Sequence, residues 1–354
     1  MFALMLFCSC GAVSQNQPAE GQQRTAQDER KTPIERAPSD PNKFAIVIAG
    51  AGGEEIYRKR FTEQAQRLYS VLTEKLGFAA ENTMLLTEGA VADADEGGPA
   101  ETPVAVNQKR ATADETRKAF DSVKSRAGRE SVVFVFLIGH GSFDNQGAKF
   151  NLVGPDLSAK DYAALLNALP AKRAVFVNCS SSSGEFIKPL SAEGRIVLTA
   201  TRSGSEQNVS VFADQFIAAL TDSAADADKN GRISVLEAFN YATKQTAGWY
   251  KQKDRLATEH ALIDDNGDGT GHEEATGGDG VLAKTTYIDS RPIAQAGGDA
   301  ELAALLNKRQ QIEEAVEKLK ARKAEMKPED YDAELERLLI ELAKTSQEIK
   351  TRQK

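Results

Sequence analysis

Val132-Val-Phe-Val-Phe-Leu-Ile138, followed at once by Gly139-His140-Gly141-Ser142, is the stretch on which the fold turns. An unbroken run of β-branched, aromatic and aliphatic residues without polar alternation suits a strand buried on both faces of a parallel sheet, and the glycines end it. A second run, Ala174-Val-Phe-Val177, ends in Asn178-Cys179-Ser180-Ser181-Ser182-Ser183-Gly184. Between the two lie a short apolar segment, 149–153, and a helical pattern, 158–169. That order predicts a right-handed βαβ unit with parallel main strands. Reactive and ligand-binding groups in such sheets collect at the carboxyl ends of strands, where His140 and the serine run both fall.

Further strands are expected at 44–49, 82–87 and 195–200. Phe61, Ala65, Leu68, Leu72 and Leu76 mark one face of a helix over 56–76. Thr112-Ala-Asp-Glu115 reads as a capping box that opens a helix to about Arg126. Residues 90–110 are acidic and glycine-rich, too long for a plain connection, and read as a rim of the site or a disordered insertion.

The 354 residues, 41% of them hydrophobic, leave room for one α/β domain and additions. A net charge of −8 without a basic cluster argues against nucleic acid as a partner. The chain opens with an apolar segment, and Ala12-Val13-Ser14 offers a small-x-small cleavage site, so 1–14 is expected to be a secretory signal peptide. Lipid anchoring at Cys10 is the alternative. Residues 15–42, rich in Gln, Glu, Arg and Pro, read as a disordered linker. Export to the periplasm or the exterior leaves Cys179, with or without Cys10, and no internal disulfide.

Phe136-Leu-Ile-Gly-His-Gly-Ser142 with Ala174-Val-Phe-Val-Asn-Cys-Ser-Ser-Ser-Ser-Gly184 resembles the legumain (haemoglobinase) family of caspase-like cysteine peptidases. In that family a His-Gly ends one strand and a Cys-x-Ser-Gly ends the next. Phe44-Ala-Ile-Val-Ile-Ala-Gly-Ala-Gly-Gly53 with Tyr57-Arg58 is similar to its first strand and loop. The resemblance spans roughly 43–220 and implies an α/β, caspase-like, mainly parallel sheet flanked by helices. It also implies His140 as a catalytic position, the Gly141 N–H as an oxyanion donor, Arg58 in the primary specificity pocket and Arg202 in a pocket wall.

The chain departs from the family at two positions. Ser181, 41 residues after His140, stands where the family has its cysteine, and Gly52 stands where it has an asparagine. Cys179 lies two residues earlier, roughly 6 to 7 Å deeper if the strand stays extended. A thiol is partly ionised at neutral pH and strongly nucleophilic, whereas a serine hydroxyl needs a hydrogen-bonded base. The favoured reading is therefore a peptide-binding pseudopeptidase. The alternative is a cysteine-type endopeptidase with Cys179 or Ser181 as nucleophile; either takes a peptide or protein partner. His140 and Ser181 are expected to face one cleft, with Cys179 the more buried of the two candidates.

Residues 221–298 carry a second motif. Asp226-Ala-Asp228-Lys-Asn230-Gly231-Arg232-Ile-Ser234-Val-Leu-Glu237 matches the twelve-position EF-hand loop. Side-chain oxygens stand at positions 1, 3, 5, 9 and 12, Gly231 at 6 for the sharp turn and Arg232 at 7, where the loop uses a carbonyl. Helices over 212–223 and 233–246 flank it, and Ca2+ is the expected cofactor. Asp264-Asp-Asn266-Gly-Asp268-Gly269 repeats the first half of such a loop, but position 12 is Ala275, with Glu273 or Glu274 as substitutes. Finally, 299–354 shows two helical apolar patterns divided by Pro328, an α-helical hairpin or short coiled coil that packs on its own domain or supports a homo-oligomer.

Overall fold

The computed structural model describes residues 39–89, 107–276, 278–290 and 299–352. The expected signal peptide, Cys10, nearly all of the linker and most of the 90–110 stretch lie outside these residues. In chain order the first half contains β1 (Lys43–Ala49), α1 (Glu55–Ser70), β2 (Thr83–Thr87), β3 (Gln108–Arg110), α2 (Ala113–Arg126), β4 (Val132–Ile138), β5 (Gly141–Asp144), β6 (Gly147–Phe150), β7 (Leu157–Ser158) and α3 (Ala159–Asn167). The second half contains β8 (Arg173–Asn178), α4 (Ile187–Leu190), β9 (Arg195–Thr199), α5 (Phe212–Ala219), α6 (Val235–Gln252), β10 (Leu262–Asp264), α7 (Val281–Thr285), α8 (Ala300–Ala321) and α9 (Pro328–Arg352).

The central sheet runs β10-β9-β8-β4-β1-β2-β3. Every pairing is parallel except that of β10 with β9. This mainly parallel sheet, flanked by helices, agrees with the α/β reading of the sequence. The apolar run of β4 explains its central place. Phe134, Phe136 and Ile138 enter one core with α1, α5 and α6, while Val133, Val135 and Leu137 enter the other with α2, α3 and α4. Each such side chain, withdrawn fully from water, stabilises the fold by about 1.5–3 kcal/mol.

Local chemistry sets the helix starts. Thr112 Oγ1 accepts from the Glu115 N–H (3.2 Å), and reciprocal capping boxes open α3 at Ser158 and α6 at Ser234. Three short strands depart from the expectations. β3 falls at the end of the 90–110 stretch, an edge segment too short and polar to show a period. Only the start of the 149–153 segment is strand, the end of β6 in a small β5-β6-β7 sheet. β10 closes the main sheet in the antiparallel sense.

Helices α8 and α9 pack on each other through Ile312, Val316, Leu319, Tyr331 and Leu338. Two ion pairs tie α8 to the rest: Glu314 with buried Arg173 at the start of β8 (2.9 Å) and Glu317 with Lys284 of α7 (2.9 Å). No described helix is long and apolar enough to cross a membrane.

Candidate functional site

β4 and β8 are parallel neighbours, with Leu137 paired to Asn178, so His140 and the serine run emerge side by side at one edge of the sheet. His140 is partly buried, and its ring meets Tyr57 and Phe61 of α1 edge-on, with centroids 5.1 and 5.0 Å apart. Burial draws the imidazole below its ordinary pKa. A hydrogen bond with the Gly52 backbone and the charge of Glu54 oppose that shift without cancelling it. Gly52 itself leaves no room for a side chain, because a Cβ there would come within 2.3 Å of the Arg58 nitrogen. An asparagine at this position would displace the start of α1.

The serine run is a closed knot of hydrogen bonds. Ser181 Oγ accepts from the Gly141 N–H (3.1 Å) and donates to the Gly141 carbonyl (3.0 Å). Ser180 Oγ donates to Asn178 Oδ1 (2.7 Å), and Ser182 Oγ donates to the Gly204 carbonyl (3.0 Å). Ser183 Oγ accepts from the N–H groups of Ala200 and Thr201 (3.1 Å each) and pairs with the Thr201 hydroxyl. The chain can turn this tightly because Ser182 adopts the left-handed region (φ 55°). The close approach also explains Gly141, where a Cβ would lie 2.4 Å from the Ser181 carbonyl oxygen.

Ser181 is 2% exposed and Cys179 5%, so the thiol is not the more buried of the two. Cys179 continues the β8 alternation into the core that holds Val175 and Val177. Burial, reinforced by the charges of Glu259 and Asp214, pushes its thiol far above the ordinary range, which leaves it protonated at neutral pH. Among the described residues, no hydrogen bond or ring contact joins His140 to Ser181 or to Cys179.

Arg58, on the first turn of α1, is half-exposed and paired with Glu55 of the same helix. Arg202 follows β9 at the same sheet edge and is 54% exposed, its guanidinium near Glu206 and Glu273 (3.4 Å each). Glu206 is a residue the sequence did not announce. It accepts from the Arg202 N–H (2.9 Å), its carboxylate meets His260 Nδ1 (2.5 Å), and its carbonyl takes the Ser182 N–H (2.8 Å). Its histidine partner is 54 residues away, on a segment with no motif.

In the first acidic loop, Asp226, Asp228 and Glu237 bring carboxylate oxygens within 4.8 Å of one another. Asp226 accepts from the N–H groups of Asn230 and Gly231, Asp228 from that of Asn230, and Asn230 Oδ1 from that of Arg232. Glu237 Oε1 accepts from the N–H groups of Ala227 (2.9 Å) and Asp228 (3.3 Å), and Oε2 accepts from the Ser234 hydroxyl (2.8 Å). The convergent acids Asp226, Asp228 and Glu237 form an all-oxygen set of the kind that could hold a hard cation.

The second acidic loop begins inside β10. Asp264 is 1% exposed, and Oδ1 takes the Gly267 N–H (3.1 Å). Burial raises its pKa. The Ser191 hydroxyl and the Gly267 N–H pull it back, while the charges of Asp279 and Asp268 add to the rise. Asn266 and Asp268 follow on exposed turns, with Asn266 Nδ2 donating to Asp268 Oδ2 (3.1 Å). Of the proposed substitutes for position 12, Glu273 pairs with Arg202.

No family model matches the chain, and no curated protein matches it. Among solved structures it is similar to a protein from Geobacter sulfurreducens, at 11% identity and a TM-score of 0.42, over 63% of this chain and 93% of that one. It is also similar to the Drosophila initiator caspase Dronc, at 12% identity and a TM-score of 0.38, over 73% of this chain and 95% of that one. At these scores neither likeness bears on function.

Proposed function

We propose that the chain is an exported protein of the legumain and caspase type whose cleft binds peptides but no longer cuts them. The observation that carries this reading is the mutual pair of hydrogen bonds between Ser181 Oγ and the Gly141 backbone. A serine nucleophile must give its proton to a base as it attacks. Here the hydroxyl proton goes to a backbone carbonyl, which cannot take it, and the oxyanion-type N–H is spent on the hydroxyl itself. His140 is held instead between Tyr57, Phe61 and the Gly52 backbone. The buried, protonated Cys179 is no better placed. The order His-Gly after β4 and Ser-Gly after its parallel neighbour β8 supports descent from a peptidase site. Ca2+ held by Asp226, Asp228, Asn230, the Arg232 carbonyl, Ser234 and Glu237 would serve as a structural clamp on the loop between α5 and α6.

The test uses fluorogenic peptide libraries and a thiol-directed peptidyl electrophile at neutral pH. Wild type and Cys179→Ala are expected to show background cleavage and no labelling. Ser181→Cys is expected to label and to release peptide above background, since a thiolate uses a distant histidine better than a hydroxyl does. Wild-type turnover that vanishes in Cys179→Ala would make this an active cysteine peptidase and overturn the reading. Turnover that vanishes in Ser181→Ala would overturn it in favour of a serine nucleophile.

A further inference from the structure

We propose that Asp264, Asn266, Asp268, the Thr270 carbonyl and Asp279 form a second site for a hard divalent cation such as Ca2+, in which Asp279 does the work of the missing twelfth-position glutamate. The proposal borrows its template from the first acidic loop but not its donors, so each site stands or falls separately.

The observation that points to a ligand is at Asp264. This carboxylate is 1% exposed, yet its Oδ2 has no hydrogen-bond partner. The Gly267 N–H and the Ser191 hydroxyl serve this carboxylate only in part, and a buried anion with one oxygen unmet is costly. It sits within electrostatic reach of two further carboxylates, Asp268 and Asp279, and among the described residues no lysine or arginine pairs with any of the three. A cation is the group that satisfies all of them.

The two loops then match position by position. Position 4 is left-handed in both, Lys229 at φ 59° and Gly267 at φ 80°, and position 6 likewise, Gly231 at 80° and Gly269 at 78°. The position-5 N–H donates to the position-3 side chain in both, from Asn230 to Asp228 (3.0 Å) and from Asp268 to Asn266 (2.8 Å). The position-7 N–H donates to the position-5 side chain, from Arg232 to Asn230 (2.8 Å) and from Thr270 to Asp268 (2.7 Å).

The decisive correspondence is at the closing carboxylate. Glu237 accepts from the N–H groups of positions 2 and 3 through one oxygen and from the side chain of position 9 through the other. Asp279 does the same in its loop. Its Oδ1 accepts from the N–H groups of Asp265 (2.8 Å) and Asn266 (3.2 Å), and its Oδ2 meets Nδ1 of His272 (2.6 Å), which is position 9. Asp279 lies four residues beyond Ala275, and the turn before α7 carries it back to the place that Ala275 cannot fill. An ionised carboxylate has about four acceptor sites, so these contacts leave room for a metal. His272 would orient the ligand from behind. Asp264, Asn266, Asp268, the Thr270 carbonyl and Asp279 make an oxygen set suited to Ca2+. These carboxylates converge less closely than those of the first loop, so binding would draw them together.

The full chain, stripped with a chelator and titrated with calcium chloride by isothermal calorimetry, tests this. Two ions per chain are expected. Asp279→Asn should remove one of them or weaken it by about tenfold or more. Asp268→Asn, on an exposed turn, should do the same with the circular dichroism unchanged, which covers the case in which Asp279→Asn fails to fold. Glu237→Gln should remove only the other ion. A single ion that disappears in Glu237→Gln and survives both aspartate variants would overturn the proposal, and so would no binding at all. A single ion that disappears in Asp268→Asn and survives Glu237→Gln would sustain it while removing the first loop.

Discussion

At the carboxyl edge of the sheet, the hydroxyls of Ser180 through Ser183 are all hydrogen-bonded within the protein. At the amino end of the second acidic loop, a carboxylate oxygen of Asp264 is equally buried and has no such partner. Both regions are rich in polar side chains turned away from water, and they use them in opposite ways. In the serine knot every hydroxyl is spent on holding the loops together, and the group left over is a donor, Nδ2 of the buried Asn178, rather than a nucleophile. In the acidic loop the leftover group is the useful one, because an unmet acceptor in a buried place favours any ligand that meets it. Chemical capacity follows from which groups the fold leaves unsatisfied rather than from residue type.

The contrast is broken most directly at Asp264. In chelator, Asp264→Asn should cost little or raise stability, since it removes a buried charge beside Asp268 and Asp279. In calcium at a hundredfold excess over Kd, the wild type should gain about 2.7 kcal/mol per site and the variant should lose that share at the second loop. Urea denaturation with and without calcium measures both. An equal calcium response in the two proteins would place Asp264 among the merely structural groups.

On the other side, Ser183→Ala strips the acceptor from the Thr201 N–H, leaves the Ala200 N–H with the Asn178 carbonyl alone, and should destabilise by about 1–3 kcal/mol in the same assay. Ser181→Ala should cost less, because the Gly141 groups it leaves unpaired are only partly buried. If Ser181→Ala were the more damaging, the knot would centre on the nucleophile position.

The smallest effect concerns His140. Its folded pKa lies below the unfolded value, so the neutral ring is the stabilising form. That contribution is fully present above the ordinary histidine pKa and is lost as pH falls through it toward the folded value. The stability difference between wild type and His140→Gln should therefore shrink from pH 8 to pH 5. The change should be a small fraction of the total, since the ring is partly open to solvent. A difference that grows on acidification would mean that an acidic partner holds the imidazolium, as a working dyad would.

Much of this was legible in the chain. The run 132–138 announced a central strand because a strand buried on both faces must be apolar at every position. Thr112 announced a helix start through capping that spans only three residues, and Ser158 and Ser234 proved to cap α3 and α6 in the same local way. β3 was hidden because an edge segment is held by backbone hydrogen bonds that leave no mark on side-chain pattern. The left-handed Ser182 was hidden as well, in a run of four identical residues that gives no sign of which one turns.

The sequence by itself determined the five main parallel strands, the placing of His140 and the serine run at the same sheet edge, and the first acidic loop, since periodicity, turn chemistry and loop spacing are local. The tertiary structure alone decided that Ser181 closes on Gly141, that His140 goes to Tyr57, Phe61 and Gly52, and that Asp279 reaches back to the loop begun at Asp264. The first two choices pair residues 40 or more positions apart, and the order of strands in the sheet sets which of them meet. The third depends on the turn before α7, whose path is set by Asp265 accepting from the N–H groups of Gly280 and Ala283.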